Sequence, residues 1–368
     1  MKIEIFLFVM IVSFLAFLSV KAPRMKRVKT IGTESGYTFV KLPNLILAFL
    51  VFAAFTVISG YRGFAFADTG SYTYTYVNYL PSGFFEAWNN SVDDSPGFWA
   101  IAGLIKQLSN ADAQIMLLVF AAVTIFLYIR VFYKYSERFD ITVFLFITLG
   151  SFVVTMNAMR QCLASAIIFS GYKFLLNKKW FPFFILVGIA YFFHPTALIM
   201  IPVYIFCHRK PWAPLLTAAL VVIMMVFTFV PSATNLIFGA MGDLKYSMYD
   251  TMEGANIGRG ITMLVICYLA FRNRERLHDM FPHSDCLVNI LIFHTLMLFA
   301  ATSSWVFARL CIYTDVFVMM LIPMIIYASF KAQNRTISTV ALVLFFLAYN
   351  MYEYGDLIYY STVLGIYL

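Results

Sequence analysis

The chain alternates long apolar stretches with short polar ones. Stretches such as Leu45–Ser59, Ile141–Met156 and Leu215–Val230 are apolar on every side. They lack the two-residue alternation over about ten residues that marks a membrane β-barrel strand. An α-helix needs roughly 18 or more apolar residues to cross the hydrocarbon core. The pattern predicts about twelve transmembrane helices, near 3–20, 43–60, 112–131, 140–158, 160–176, 180–193, 195–207, 212–231, 259–271, 285–303, 307–328 and 337–352. The shorter ones are expected to tilt, pair or re-enter, and 97–109 reads as a further interfacial or partly inserted helix. No linker, internal repeat or low-complexity tract intervenes. Residues 1–368 are therefore expected to form one all-α, polytopic transmembrane domain with longer loops near 61–111 and 232–258.

Composition strengthens this reading. Of 368 residues, 62% are hydrophobic and only 12% charged, against about 25% charged in a soluble domain. The first segment has one basic residue before it, Lys2, and five soon after it: Lys21, Arg24, Lys26, Arg27 and Lys29. A signal peptide has the opposite arrangement, so this segment is expected to be retained. Five cysteines (Cys162, Cys207, Cys267, Cys286, Cys311) lie in or beside apolar segments without a CxxC pair. They read as small hydrophobes, with neither a disulfide nor a metal site expected.

Charge orients the helices. With the N-terminus outside, the loops that alternate to the cytoplasm hold Lys21, Arg24, Lys26, Arg27, Lys29 and Lys41; Arg130, Lys134 and Arg138; Lys173, Lys178 and Lys179; Arg209 and Lys210; Arg272, Arg274 and Arg276; and Lys331 and Arg335. These are 19 of the 26 lysines and arginines. The bias has one sign at every loop. It places both termini on the extracytoplasmic side, and it accounts for the net charge of +8 without nucleic acid. Seven basic residues break the rule: Lys2, Arg62, Lys106, Arg160, Lys245, Arg259 and Arg309.

These exceptions carry the candidate chemistry. Arg160 stands between two apolar segments with almost no loop, and Arg259 and Arg309 stand at other outer helix ends. An arginine at such a place needs a partner or an anion. Its planar fork suits phosphate, although a helix-end arginine also snorkels to headgroups. The positive-inside bias disfavours arginine on this face, which favours the anion site. Arg309 and Tyr313 are four residues apart and share a helix face. Asp315 is intramembrane and six residues beyond Arg309, a candidate to neutralise an arginine. His194 precedes Pro195, which forces an extended turn, so its imidazole sits at the outer boundary as base, donor or cap. His294, inside a segment, reads as a helix–helix hydrogen bond. The first long loop carries Asp68, Glu86, Asp93, Asp94 and the aromatics Tyr72, Tyr74, Tyr76, Tyr79, Phe84, Phe85 and Trp88. The second carries Asp243, Lys245, Tyr246, Tyr249, Asp250, Glu253 and Asn256. The tyrosine run fits an interfacial belt and a sugar-binding surface equally.

Four motifs resemble a known family. Phe66-Ala67-Asp68-Thr69-Gly70-Ser71-Tyr72 followed by Tyr76 resembles its first-loop Asp/Tyr motif. Met159-Arg160-Gln161-Cys162-Leu163-Ala164-Ser165-Ala166 resembles its RQ helix start. Phe193-His194-Pro195-Thr196-Ala197-Leu198-Ile199 resembles its FH turn, and Arg309 through Tyr313 its R-x3-Y helix. In order and spacing they are similar to the EpsG-type, Wzy-like bacterial polysaccharide polymerases. The resemblance spans about 60 to 330. The second long loop is short beside that of many O-antigen polymerases, so loop mechanisms do not carry over. The resemblance admits a GT-C-like architecture. It implies glycosyl transfer on the extracytoplasmic face of the bacterial inner membrane, between undecaprenyl-diphosphate-linked glycans, with no cofactor. A growing chain would move to the non-reducing end of a new lipid-linked unit. A chain-length regulator and a flippase of the same pathway are the expected protein partners.

The residues fit that reaction. Arg160, Arg259 and Arg309 would stabilise the diphosphate leaving group. His194 or Asp68 would take the acceptor proton, and Asp68 also suits an oxocarbenium-like sugar. Tyr72, Tyr76, Gln161, Tyr313 and Asp315 would bind glycan or support the site. Two other classes remain open. A transporter or flippase of the same lipid-linked sugars would carry polar groups through the full depth and repeat symmetry. A membrane acyltransferase using His194 on a glycan would need an acyl-donor site.

Overall fold

The computed structural model describes residues 3–29, 37–229 and 254–354. Among these the chain is mostly helical. Each of the twelve apolar segments coincides with a helix or a helix pair. By length and composition, Ala113–Tyr135, Trp305–Ser329 and Ala332–Tyr354 are apolar enough to cross a membrane singly. The pair Phe139–Thr148 and Ser151–Asn157, bent by 54°, makes a fourth span if taken as one. The others are shorter, and local breaks divide some of them. Gly171 separates Met159–Ser170 from Tyr172–Leu176, and Ala158 ends Ser151–Asn157 one residue before Met159–Ser170 begins.

One element departs from the all-α expectation. Arg24–Lys29 and Tyr37–Leu42 form a two-stranded antiparallel hairpin with Arg24 opposite Leu42. Its first strand reads as a positive cluster rather than a strand, because four of its six residues are basic. Its second is rich in aromatic and β-branched residues, which suit a pleated surface.

The chain forms two compact units. The first comprises Met1–Asn90, Trp99–Met159 and Phe346–Leu368, the second Ser91–Phe98 and Arg160–Phe345. In the first, Leu45–Gly60 packs on Ala113–Tyr135. Asn44 caps the former, its Oδ1 accepting from the amides of Ile46 and Leu47 at 3.0 and 3.2 Å. Asp112 caps the latter through the amide of Gln114 at 2.8 Å. Both satisfy amides that the first helical turn leaves unpaired. Two exceptions to the positive-inside bias have structural work here. Buried Arg62 donates to the Ser59 carbonyl at 2.6 Å and to Thr69 Oγ1 at 2.9 Å. Lys106 donates to the carbonyls of Val77 and Leu80 at 2.9 and 2.8 Å. Each places a cation on carbonyls at or near a helix C-terminal end, where the macrodipole favours it.

The bend between Phe139–Thr148 and Ser151–Asn157 occurs at Gly150, whose φ of 80° is left-handed and suits glycine. Carbonyls freed there are taken up within the unit. Tyr354 donates to Leu149 at 2.9 Å and Asn350 to Thr148 at 3.1 Å. A break in an apolar helix needs such internal partners, because lipid supplies none.

The loop expected near 61–111 is largely helical, in Thr69–Asn78, Phe84–Asn89 and Pro96–Leu108. The tyrosine run therefore has two faces. Tyr72 and Tyr76, four residues apart, point inward, while Tyr74 and Tyr79 are exposed.

In the second unit Trp305–Ser329 is the central helix, almost wholly buried. It packs on Ser284–Ala300, with Ile257–Arg272 against both. The outer face of Ile257–Arg272 exposes Ile257, Ile261, Leu264, Val265 and Tyr268. A contiguous apolar face of this kind requires a nonpolar covering, which a bilayer provides. Of the loop expected near 232–258, residues 232–253 lie outside the described residues, with Asp243, Lys245, Tyr246, Tyr249, Asp250 and Glu253. So do Lys2 and residues 355–368.

Candidate functional site

The second unit gathers three of the four motifs. Arg160 and Gln161 open Met159–Ser170. His194 and Thr196 flank Pro195 at the turn into the 3-10 helix Pro195–Ile199. Arg309 and Tyr313 lie in the first turns of Trp305–Ser329.

Gln161 is buried and joins all three. Its Nε2 donates to the Arg309 carbonyl at 2.9 Å and to Thr196 Oγ1 at 3.3 Å. Thr196, also buried, lies 2.6 Å from His194 Nδ1 and 3.0 Å from the Tyr313 hydroxyl. One turn further along Met159–Ser170, Ser165 donates to the Ile312 carbonyl at 2.9 Å. Three of the four sequence motifs are thus one hydrogen-bonded assembly.

His194 takes the extended conformation that Pro195 demands, with φ −161° and ψ 121°. Its ring is half-buried. Burial first, then the charges of Arg160 and Arg309, push its pKa down to about 3. A positive ring is disfavoured both by desolvation and by two guanidinium groups nearby. The imidazole is therefore neutral at neutral pH.

Arg160 is ion-paired. Its Nη1 bonds the Asp93 carboxylate and Ser95 Oγ, the latter at 3.1 Å. Asp93 Oδ1 also accepts from the Ser95 amide at 3.0 Å. This acidic turn is seated on the histidine turn, since the Gly97 amide donates to the Phe192 carbonyl at 2.9 Å. A β-carbon at Gly97 would lie 3.0 Å from that oxygen, so the close approach favours a residue without one. Asp93 and Ser95 are partners of Arg160 that the sequence pattern did not single out. The signal available was an unmatched carboxylate at Asp93-Asp94-Ser95-Pro96, a cap pattern before a proline-led helix.

Trp305, Arg309 and Tyr313 are spaced four residues apart and make one stripe on their helix. Arg259 lies over the Trp305 ring, 5.5 Å from its centroid. The stripe thus meets Arg259 at one end and Thr196 at the other. Asp315 lies beyond the stripe and partly exposed. His294, expected as a helix–helix hydrogen bond, places Nε2 3.4 Å from Asp315 Oδ1 and Nδ1 2.8 Å from Thr314 Oγ1.

The remaining candidates belong to the first unit. Asp68 is exposed at the start of Thr69–Asn78, after a left-handed Ala67 with φ 45°. Tyr76 shares a hydrogen bond with Ser109 at 3.2 Å, and Tyr72 packs near Trp99.

One group of metal-ligand types occurs among the described residues. Ligand atoms of Cys207, His208 and Cys286 lie within 4.8 Å of one another. Yet His208 turns Nδ1 toward the Tyr204 carbonyl at 2.7 Å and Nε2 toward the Leu175 carbonyl at 2.8 Å. Both nitrogens face carbonyl oxygens, so an ion would have to displace one of these contacts.

The model of the EpsG family matches residues 45–362. No curated protein and no solved structure matches the chain.

Proposed function

The chain belongs to the EpsG family, a polysaccharide-polymerase-type membrane protein, and from that premise we propose that it polymerises undecaprenyl-diphosphate-linked repeat units on the extracytoplasmic face. The observation that carries this reading is the assembly of Arg160, Gln161, His194, Thr196, Arg309 and Tyr313. It pairs two arginines with a neutral imidazole in one unit.

The reaction divides naturally among these groups. The acceptor hydroxyl of a new unit attacks the anomeric carbon of the growing glycan. The bond from that carbon to the diphosphate oxygen breaks, and undecaprenyl diphosphate leaves with the electron pair. Arg160 and Arg309, with Arg259 held at Trp305, face the charge that develops there. Preorganised cations stabilise such charge without reorganising. His194, neutral and so able to accept, takes the acceptor proton, its basicity raised as the bound diphosphate offsets the charges of Arg160 and Arg309. Asp68 is the competing base. The positive-inside count supports the orientation, and the bilayer and lipid-linked glycans are the proposed partners.

Purified protein supplied with lipid-linked repeat units should make longer glycan. Arg160→Ala and Arg309→Ala should each abolish elongation. Normal polymer from both variants would remove the diphosphate clamp. Comparing His194→Ala with Asp68→Ala identifies the base, since only loss of the true base removes elongation while lipid-linked substrate still binds.

A further inference from the structure

The hydroxyl of Thr196 has three polar neighbours, and counting protons among them restricts His194. An alcohol oxygen donates one hydrogen bond and accepts two. Gln161 uses one acceptor position, because its carboxamide is oriented by the Arg309 carbonyl. That carbonyl at 2.9 Å can only accept, so the amide nitrogen faces it and also donates to Thr196. Of the two remaining neighbours, one receives the Thr196 proton and the other donates to Thr196.

Two arrangements satisfy this count. In one, Tyr313 donates to Thr196, Thr196 donates to His194 Nδ1, and the imidazole proton resides on Nε2. In the other, His194 Nδ1–H donates to Thr196 at 2.6 Å, and Thr196 donates to the Tyr313 oxygen at 3.0 Å. Only the second leaves Nε2 with a free lone pair. It also matches the state after proton uptake, because an imidazolium must donate from both nitrogens. Proton transfer to Nε2 then requires no rearrangement of the buried hydroxyl.

We propose that Thr196, with Tyr313, is a positioning residue that holds His194 as its Nδ1–H tautomer and so presents Nε2 as the base for the acceptor hydroxyl. The proposal rests on the polymerase reading above and adds the reason for a threonine two residues after the histidine. Thr196 does not touch substrate. It acts through the ring, as the partner that orients a catalytic histidine does in hydrolase triads.

The test combines kinetics with a direct view of the ring. Full-length protein in detergent is labelled with 15N-histidine, and His194 is assigned by its disappearance in His194→Asn. Its wild-type spectrum should show a protonated Nδ1 and a pyridine-type Nε2. Thr196→Val keeps the shape and removes the hydroxyl. It should mix in the Nε2–H form and lower kcat by about tenfold to a hundredfold, less than the roughly 10²–10⁴-fold that the whole base contributes, with KM little changed. Thr196→Ser should recover most of the lost rate, and Tyr313→Phe should lower kcat in the same direction. Thr196→Val should cause no further loss in a His194→Ala background.

A wild-type kcat in Thr196→Val, an unchanged tautomer, or an equal loss with and without His194 overturns the positioning role. Full elongation by His194→Ala overturns instead the assignment of the base on which it rests. Should Thr196→Val fail to fold, the tautomer and kcat of Tyr313→Phe decide.

Discussion

Asp93 holds Arg160 across 67 positions of sequence, with Ser95 sharing the same guanidinium nitrogen. The pair is partly exposed. Arg160 is therefore paired at rest, and an incoming diphosphate competes with a carboxylate for it. Asp93→Asn keeps a hydrogen-bonding side chain and removes the charge. It should lower KM for the lipid-linked donor by up to about fivefold, the equivalent of about 1 kcal/mol for a partly exposed pair. Initial rates at fixed acceptor concentration give that KM. A raised KM would mean that Asp93 aims Arg160 at its ligand and does not restrain it.

The depressed pKa of His194 has a kinetic consequence whose sign can be worked out. The group is ordinarily half-protonated near 6.5, and here burial, Arg160 and Arg309 bring it to about 3. In the free enzyme the imidazole stays neutral as the pH falls through 6.5, so kcat/KM should show no acid limb there from His194. A diphosphate between the arginines cancels part of their positive field. The acid limb of kcat, which reports the complex, should therefore lie at higher pH than that of kcat/KM. Arg309→Gln should move the kcat/KM limb upward without bringing it to 6.5, because burial is the larger cause. Stability follows the same logic. The contribution is fully present above the unfolded pKa of 6.5 and is lost as the pH falls toward 3. Thermal midpoints measured from pH 7 to pH 4 should decline less in His194→Asn.

Much of the helical layout was legible in the chain because runs such as Leu45–Ser59 are apolar on every side, and that pattern depends on no partner. The turn at His194 was equally legible, since Pro195 acts on its immediate neighbour. What escaped depends on tertiary placement. The Arg24–Lys29 strand is basic and carries no apolar alternation, so it reads only as a topogenic cluster. Arg62 and Lys106 are exceptions to the positive-inside bias, and only the structure shows that each donates to carbonyls at or near a helix end. Asp93 could be read as an acid in a loop, but not as the partner of Arg160. Thr196 stood inside a recognised motif, yet its role emerges only when Gln161 and Tyr313 arrive from two other helices. The tyrosine run fitted an interfacial belt and a sugar-binding surface equally, and only the fold shows that Tyr72 and Tyr76 turn inward.

Gln161 offers a sharper test of the assembly than deletion does. Its Nε2 donates twice, to Thr196 and to the Arg309 carbonyl, while its buried Oε1 has no hydrogen-bond partner among the described residues. The side chain therefore serves as a donor. Gln161→Leu removes the two donated bonds, leaves no orphaned side-chain acceptor and keeps a similar volume. Gln161→Glu has nearly the same shape, but an ionised carboxylate cannot donate. It would face the Arg309 carbonyl with a buried negative charge, which is far more costly than losing a neutral bond. The expected order of thermal stability is wild type, then Gln161→Leu, then Gln161→Glu, with the leucine variant lower by about 1–3 kcal/mol and the glutamate variant lower still. Elongation should fall in the same order, because the three motifs lose their common hinge. Unfolding midpoints in detergent, read beside product length, check both. A glutamate variant as stable as the leucine variant would mean that Gln161 does not donate to the Arg309 carbonyl.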